Sequence, residues 1–242
     1  MFNIIEFIEL DSTNKFAKQN IEKLNNRDVI FTTIQNKGKG RMLRDWISNS
    51  NSLTFSIVLK DSFSISNFDV ISLLSACAVF KALSKYIKNN LSIKWPNDIY
   101  VNDKKICGIL LESISYSSSI EGIIVGIGVN VNNKMDELSA TNNNSTSIYS
   151  EINQIVSIKQ LLNEILIEFD DLLLKVKNGN KEYFSIIKEN NYLKGKTAYA
   201  HFSSIEGEVK VLDVLENNKL LVLFQDEKIT LDTGEITFHK EN

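Results

Sequence analysis

The stretches KWPNDIYVNDKKICGILLE (residues 94–112) and GIIVGIGVN (residues 122–130) decide the fold of this 242-residue chain. Their apolar runs, 105–113 and 121–132, are too continuous for a sheet with one solvent-facing side. We therefore expect both runs to form strands at the centre of a sheet. The glycines of the second stretch favour a buried strand on which a helix packs closely. Asn130, at the end of that strand, is a candidate ligand contact.

A turn beside the first of these strands gathers charged and polar residues. Pro96 fixes the backbone after the short strand SIKW, and an Asn-Asp pair follows it at the turn. Asn97 and Asp98, taken singly, are ordinary turn residues. Lys94 and Lys105 flank the turn with a carboxylate between them, and this combination favours a site.

The remainder of the first 190 residues predicts a mixture of helices and strands. Apolar residues at helical spacing predict helices over 11–25, 68–89, 157–176 and 181–189. Short apolar runs predict strands over 29–35, 53–60 and 92–95. The Asn- and Ser-rich segment 133–150 predicts a loop.

The hydropathy pattern of the sequence changes near the carboxyl end. From Lys194 onward, polar turns separate the short strand-like runs TAYAHF, GEVKVLDVL, KLLVLF and EKITLDTGEITF. This pattern is typical of a small β-barrel appended to an α+β domain. We predict one domain over residues 1–190 and a second over residues 191–242.

Composition excludes several classes of protein. With 43% hydrophobic and 24% charged residues the chain is neither disordered nor fibrous. Its formal net charge of −3 provides no global positive field for non-specific nucleic-acid binding. The longest apolar runs are too short to cross a bilayer, and the acidic amino terminus lacks the features of a secretory signal. We therefore expect a cytoplasmic protein without a membrane span.

Cysteine and histidine usage narrows the chemistry. Cys77 and Cys107 lie in apolar runs, and we expect both to be reduced core residues. The two histidines, His201 and His239, are near the carboxyl end, and neither HExxH nor CxxC occurs. An enzyme of this composition would depend on charge stabilisation and positioning more than on imidazole catalysis.

A glycine-rich basic segment, GKGRMLRDW (residues 38–46), is a second candidate site. Its backbone N–H groups and cations suit a phosphate or carboxylate. A solvated hairpin loop explains the segment equally well when it is taken alone. It matches neither the Walker A pattern nor GxGxxG. Rare residues nevertheless concentrate here and in KWPND, among them both tryptophans and the single proline.

The ordered set of motifs resembles a known family. DSTN, Q-x2-GKGR-x4-W, KWPND, KK-x2-G-x-L-x-E, GIGVN and STSI occur in this order between residues 11 and 148. Together they resemble the catalytic core of biotin protein ligases, of the monofunctional type without an amino-terminal DNA-binding domain. Each motif is modest, but the ordered set is specific.

The resemblance implies a fold and a reaction. The fold is a mixed sheet related to class II aminoacyl-tRNA synthetases, with an SH3-like carboxyl-terminal domain. The reaction uses biotin, ATP and Mg²⁺. Biotin's carboxylate attacks the α-phosphate to give biotinyl-5'-AMP, and a carrier-protein lysine then takes the biotin. Both steps develop negative charge on phosphate oxygens, which cations and N–H donors stabilise.

The resemblance also implies roles for individual residues. Lys105 is the essential cation, Arg41 retains the reactive adenylate, and Asp98 lies on the metal side of the site. The residues implied to contact biotin are Ser12, Thr13, Asn14, Gln35, Gly38, Lys39, Gly40, Arg41, Lys105 and Gly108. Those implied to contact ATP or the adenylate are Arg41, Trp46, Asn97, Asp98, Lys105 and Asn130.

The sequence departs from the family pattern at three places. Lys39 stands where arginine is usual, which keeps the charge but loses the bidentate fork. Leu43 replaces a common glycine, and because of these two changes together we expect the loop to close differently. Asn217 and Asn218 stand where a glycine turn is common, and no role is carried over to them.

The implied partner is a biotin carboxyl carrier protein, for example that of acetyl-CoA carboxylase. The DSTN motif begins at residue 11, so we expect no preceding DNA-binding domain and no DNA partner. Homodimerisation through the central sheet is common in the family and stays open. The alternatives are a lipoate or octanoate ligase or transferase and a non-catalytic sensor of biotin or nucleotide.

Overall fold

A computed structural model describes residues 1–41, 44–116, 119–139, 144–201 and 205–232. The helices are α1 Thr13–Gln19, α2 Ser62–Ser66, α3 Phe68–Leu83, α4 Met135–Ser139, α5 Ile148–Ile152, α6 Ile158–Lys177 and α7 Glu182–Glu189. The strands are β1 Asn3–Leu10, β2 Asp28–Gln35, β3 Gly38–Lys39, β4 Asp45–Trp46, β5 Ser52–Leu59, β6 Leu91–Lys94, β7 Asp98–Val101, β8 Lys104–Tyr116, β9 Ser119–Asn130, β10 Thr197–His201, β11 Glu206–Val214, β12 Leu220–Phe224 and β13 Glu227–Leu231.

A seven-stranded mixed sheet forms the centre of the molecule, in the order β1-β2-β5-β9-β8-β7-β6. Only β1 and β2 are parallel in it. The two apolar runs expected at the centre are β8 and β9, which pair with each other, and β9 also pairs with β5. That expectation is confirmed.

The two faces of the sheet carry different layers. Odd-numbered residues of β9, such as Val125 and Val129, are buried in one large core together with α3 and α6. Even-numbered Ile124 belongs to a smaller cluster with Ala17 of α1. Because side chains alternate along a strand, every second residue of the central strands faces the α1 side. The site is built on that side.

The boundaries of several elements differ from expectation. Helix α1 ends at Gln19 and α3 at Leu83, both earlier than predicted. The predicted loop 133–150 contains the short helices α4 and α5. Strand β1 was not predicted, although Ile5 and Phe7 alternate inward on it and pack with α1.

The carboxyl-terminal strands β10 to β13 form an antiparallel sheet. Over the described residues this sheet is small and open, so the predicted closed barrel is not confirmed. Residues 202–204, with the end of the predicted strand TAYAHF, and 233–242, with the second half of EKITLDTGEITF, lie outside the described residues. Both cysteines are free and buried, as expected. None of the described helices is long and apolar enough to cross a membrane.

Candidate active site

A cavity of about 600 Å³ opens on the α1 side of the central sheet. Of the residues implied by the motifs, all but one line it: Ser12, Thr13, Asn14, Gln35, Lys39, Gly40, Arg41, Trp46, Asn97, Asp98, Lys105, Gly108 and Asn130. The exception is Gly38, which is buried below the lining. A Cβ at Gly38 would overlap the side chain of Gln35 and the carbonyl of Trp46, which explains the glycine.

Glycines form the floor of the cavity. In the register of β8 and β9, Leu110 lies opposite Gly126 and Gly108 lies opposite Gly128. A Cβ at Gly126 would overlap the amide of Asn14, and one at Gly128 would overlap the indole of Trp46. The prediction of close helix packing is correct at Gly126. At Gly128 the closely packed group is the tryptophan.

The start of α1 forms an uncharged, hydrogen-bonding wall. Ser12 caps the helix by accepting a hydrogen bond from the Lys15 N–H at 3.3 Å. The Thr13 N–H donates to Gln35 Oε1 at 2.9 Å. The buried Ser56 hydroxyl lies 2.7 Å from Thr13 Oγ1 and 2.6 Å from Asn14 Oδ1. These bonds hold α1 against β2 and β5.

The glycine-rich loop brings a cation to the cavity. Its chain reverses through the bond from the Gly40 N–H to the Arg44 carbonyl, at 2.7 Å. Arg41 Nη1 then donates to Asn97 Oδ1 at 3.0 Å. Burial lowers the pKa of the Arg41 guanidinium, and the nearby Asp98 carboxylate opposes that effect. Arginine stays charged in proteins, so a partly buried positive group faces the cavity here.

The other two residues of interest in this loop have different positions. Lys39 is half-exposed and pairs with Asp45 at 2.5 Å between Nζ and Oδ1. The predicted effect of Leu43 on loop closure cannot be followed, because that residue lies outside the described part of the chain.

A second cation, Lys105, is held from two directions. Its Nζ lies 2.7 Å from Asp98 Oδ1. Its backbone N–H donates to the Asn144 carbonyl and its carbonyl accepts from the Thr146 N–H, each at 2.9 Å. The Asn130 side chain donates to the Thr146 carbonyl at 2.9 Å. Asn130 therefore anchors the segment that fixes the backbone of Lys105.

Trp46 covers the floor beside these cations. Its ring centroid is 5.9 Å from Lys105 Nζ. Its Nε1 is buried and has no hydrogen-bond partner among the described residues. An unpaired buried donor is costly. A ligand oxygen acceptor in the cavity would remove that cost.

Sequence reasoning assigned no role to several residues that line the cavity, although it noted Lys94 beside the turn: Arg44, Thr54, Lys94, Tyr100, Asn144 and Ser145. Burial lowers the pKa of the Lys94 ammonium, with Asp98 opposing, and its Nζ donates to Tyr100 Oη at 3.3 Å. The sequence did indicate that Thr54 and Ser56 share a polar face, since they alternate with apolar residues along β5. That alternation marks a strand with one polar face.

The comparison with known families decides the identity of the fold. The sequence profile of the biotin/lipoate A/B protein ligase family matches residues 4–130. The chain belongs to this family. The match ends at Asn130 and thus spans the whole floor of the cavity.

Named relatives of the ligase family align with part of the chain. The bifunctional ligase/repressor BirA of Bacillus subtilis is 34% identical over 133 residues, which are 53% of this chain and 40% of that protein. The biotin--[acetyl-CoA-carboxylase] ligase of Paracoccus denitrificans is 32% identical over 123 residues, 50% of this chain and 51% of that protein. The chain thus spans about half or less of the length of these relatives.

Solved structures of the ligase family match over the whole chain. The biotin protein ligase from Aquifex aeolicus in complex with biotin and ATP superposes with a TM-score of 0.88 at 26% identity, covering 100% of both chains. The one from Leishmania major in complex with biotinyl-5-AMP gives a TM-score of 0.60 at 20% identity, covering 95% of this chain and 98% of that one. The second likeness concerns the fold alone.

Proposed function

We propose that this chain is a biotin protein ligase, which joins biotin to ATP as biotinyl-5'-AMP and passes the biotin to a carrier-protein lysine. The observation that carries the proposal is the arrangement along the cavity floor. Uncharged hydrogen-bonding groups stand above Gly126, Lys105 stands beside Gly108, two residues before Leu110 in β8, and Arg41 lines the same cavity. This arrangement suits a ligand whose neutral ring system contacts the uncharged groups and whose phosphate contacts the cations.

The cations supply the chemistry of both steps. When the biotin carboxylate attacks the α-phosphate, a P–O bond forms and pyrophosphate leaves. When the acceptor amine attacks the acyl carbon, an amide forms and AMP leaves. Lys105 and Arg41 stabilise the charge on the phosphate oxygens in each step. Trp46 Nε1 offers a further donor on the same side.

The residues of this site would hold Mg²⁺ only together with phosphate oxygens of the substrate. Among the described residues no group of three or more His, Cys, Asp or Glu side chains is placed to hold a metal. Mg²⁺ is commonly held by one or two carboxylates together with phosphates. Asp98 is the carboxylate that would hold it here, and the ion would neutralise phosphate charge.

The proposal extends to partners and to the carboxyl-terminal domain. Residues 191–242 would form an SH3-like domain beside a class II synthetase-like sheet. The acceptor is a biotin carboxyl carrier protein in the cytoplasm. The acidic net charge of −3 argues against non-specific DNA binding, and a homodimer through the central sheet stays open.

Pyrophosphate release from MgATP, measured without a carrier protein, tests the proposal. We expect release that depends on biotin. Lys105→Ala should abolish it with the far-UV spectrum unchanged, because the charge on the α-phosphate then lacks its cation. Lys104→Ala is the matched control, since this neighbouring side chain is exposed and lies outside the cavity lining. It should keep full activity.

The same assay separates the alternatives. Release with lipoate or octanoate, and none with biotin, would make the chain a lipoate-type enzyme. Biotin binding by calorimetry without any release would make it a sensor. Undiminished activity of Lys105→Ala would refute the assignment of the essential cation.

A further inference from the structure

Glu112, the last residue of the KK-x2-G-x-L-x-E motif, has no role in the proposed reaction, yet it contacts the cavity wall. Its Oε2 accepts a hydrogen bond from Asn14 Nδ2 at 2.9 Å. Its Oε1 pairs with Lys18 Nζ at 2.8 Å. The carboxylate thus connects β8 with the first two turns of α1.

The carboxylate, by the shorter of two bonds from the Asn14 amide nitrogen, fixes the orientation of this amide; the longer bond, at 3.4 Å, goes to the Leu110 carbonyl. An ionised carboxylate only accepts hydrogen bonds, so the NH2 group of Asn14 must face Glu112. The amide oxygen therefore faces Ser56, whose hydroxyl donates to it at 2.6 Å. Gly126 leaves the space in which this amide lies.

The orientation of Asn14 propagates to Thr13. A serine hydroxyl has one proton, and Ser56 uses it on Asn14. At the 2.7 Å contact with Thr13, Ser56 therefore only accepts. The Thr13 hydroxyl therefore donates its proton to Ser56, and Gln35 Oε1 accepts from the Thr13 N–H at 2.9 Å. The lone pairs of the Thr13 oxygen are left for a ligand in the cavity.

Reversal of the amide would have the opposite result. If the Asn14 NH2 group faced Ser56, it would donate to the serine oxygen. The serine proton would then point at Thr13 and occupy a lone pair of its oxygen. The cavity wall would lose acceptor capacity at Thr13.

We propose that Glu112 is a positioning residue that, through Asn14 and Ser56, keeps the Thr13 hydroxyl an acceptor for an N–H group of the ligand. The inference rests on the proposed function, in which the ligand is biotin. The ureido ring of biotin carries N–H donors, whereas the dithiolane ring of lipoate carries none. Glu112 is thus a determinant of specificity for a ureido ligand.

Steady-state adenylation kinetics with Glu112→Leu test this role. We expect the KM for biotin to rise about tenfold, as the loss of one hydrogen bond to the ligand predicts. The kcat, the KM for ATP and the unfolding temperature should stay close to wild type. Glu112→Gln should restore the biotin KM, because its amide oxygen still accepts from Asn14.

Two further variants distinguish the hydrogen bond between Asn14 and Glu112 from the ion pair between Lys18 and Glu112. Lys18→Ala removes only the pairing ammonium, whose side chain is 42% exposed, and should leave the biotin KM unchanged. The double exchange Glu112→Lys with Lys18→Glu keeps opposite charges but presents a donor to Asn14. This double variant should raise the biotin KM as much as Glu112→Leu does. If Glu112→Leu does not fold, the double variant serves as the test in its place.

Three results would overturn the inference. They are a wild-type biotin KM in the double exchange, an equal loss in Lys18→Ala, and a fall in kcat with an unchanged biotin KM. Failure of this inference can be distinguished from failure of the proposed function. If wild-type protein neither binds nor adenylates biotin, the proposed function itself fails.

Discussion

Gly128 shows how one missing side chain shapes the site. The indole of Trp46 lies directly on its Cα, and its far edge reaches Gly108. Any Cβ at position 128 would push the ring into the space beside Lys105. The position of the tryptophan therefore depends on a glycine from a different strand.

Gly128→Ala should lower the rate of adenylate formation by about a hundredfold, because displacement by about 1 Å within a reactive site has that effect. Pyrophosphate release under saturating substrates measures it. Gly122→Ala is the control on the same face of β9, where an added Cβ has no contact closer than 3.0 Å. Equal rates in the two variants would show that the tryptophan can move without consequence.

Helices α3, α6 and α7 are joined at the surface by a network of charges. Glu168 accepts from Lys81 at 2.9 Å and from Lys85 at 3.0 Å. Burial raises the pKa of this carboxyl, but the hydrogen bonds from the two lysines outweigh it. The folded-state pKa of Glu168 therefore lies below the ordinary value. Its charge links α6 to α3 on the side of the sheet away from the cavity.

Glu168→Gln should lower the free energy of unfolding at neutral pH, and the loss should shrink in acid. A depressed pKa stabilises the folded state above the unfolded-state pKa, about 4.3 for glutamate, and this contribution is lost as pH falls through the folded-state pKa. Urea unfolding from pH 7 to pH 3 measures the effect. Exposed Glu189→Gln is the control; a pH-independent loss in Glu168→Gln would contradict the linkage.

The elements also show what sequence can and cannot predict. Strands β8 and β9 were predictable because their sequences are continuously apolar, as is typical of strands buried on both faces. Strand β1 was not predicted although Ile5 and Phe7 alternate inward along it, and no local signal specifies its parallel pairing with β2, which is formed across α1. The site motifs were visible one by one. The contacts between them were not, since Asn14 meets Ser56 and Glu112 across separations of 42 and 98 residues.

At the scale of the whole molecule, the cavity is supported by the carboxyl-terminal sheet. Trp95, buried in the KWPND turn, donates from Nε1 to the carbonyl of Asn218 at 3.0 Å. Asn218 adopts a positive φ of 66° between β11 and β12, and its side chain accepts from Tyr183 Oη at 3.2 Å. An asparagine tolerates this conformation, which explains how the chain dispenses with a glycine here.

Trp95→Phe should lower the free energy of unfolding by about 1–3 kcal/mol, because the buried Asn218 carbonyl loses its donor. Tyr183→Phe should have a smaller effect. Both side chains hold Asn218, so the double variant should lose less than the sum of the two. Urea unfolding of the three variants measures this; strict additivity would mean that the turn is held elsewhere.

The placement of the tryptophans gives the native protein two optical reporters. The chain contains only Trp46 and Trp95. Both line the cavity: the indole of Trp46 lies beside Lys105, and that of Trp95 donates to the turn of the carboxyl-terminal sheet. Intrinsic fluorescence therefore arises from two positions, and only that of Trp95 is bonded to the carboxyl-terminal sheet. Ligand titrations should change the emission of Trp46, and mild denaturant should change that of Trp95, so each Trp→Phe variant isolates one of the two signals without any added dye.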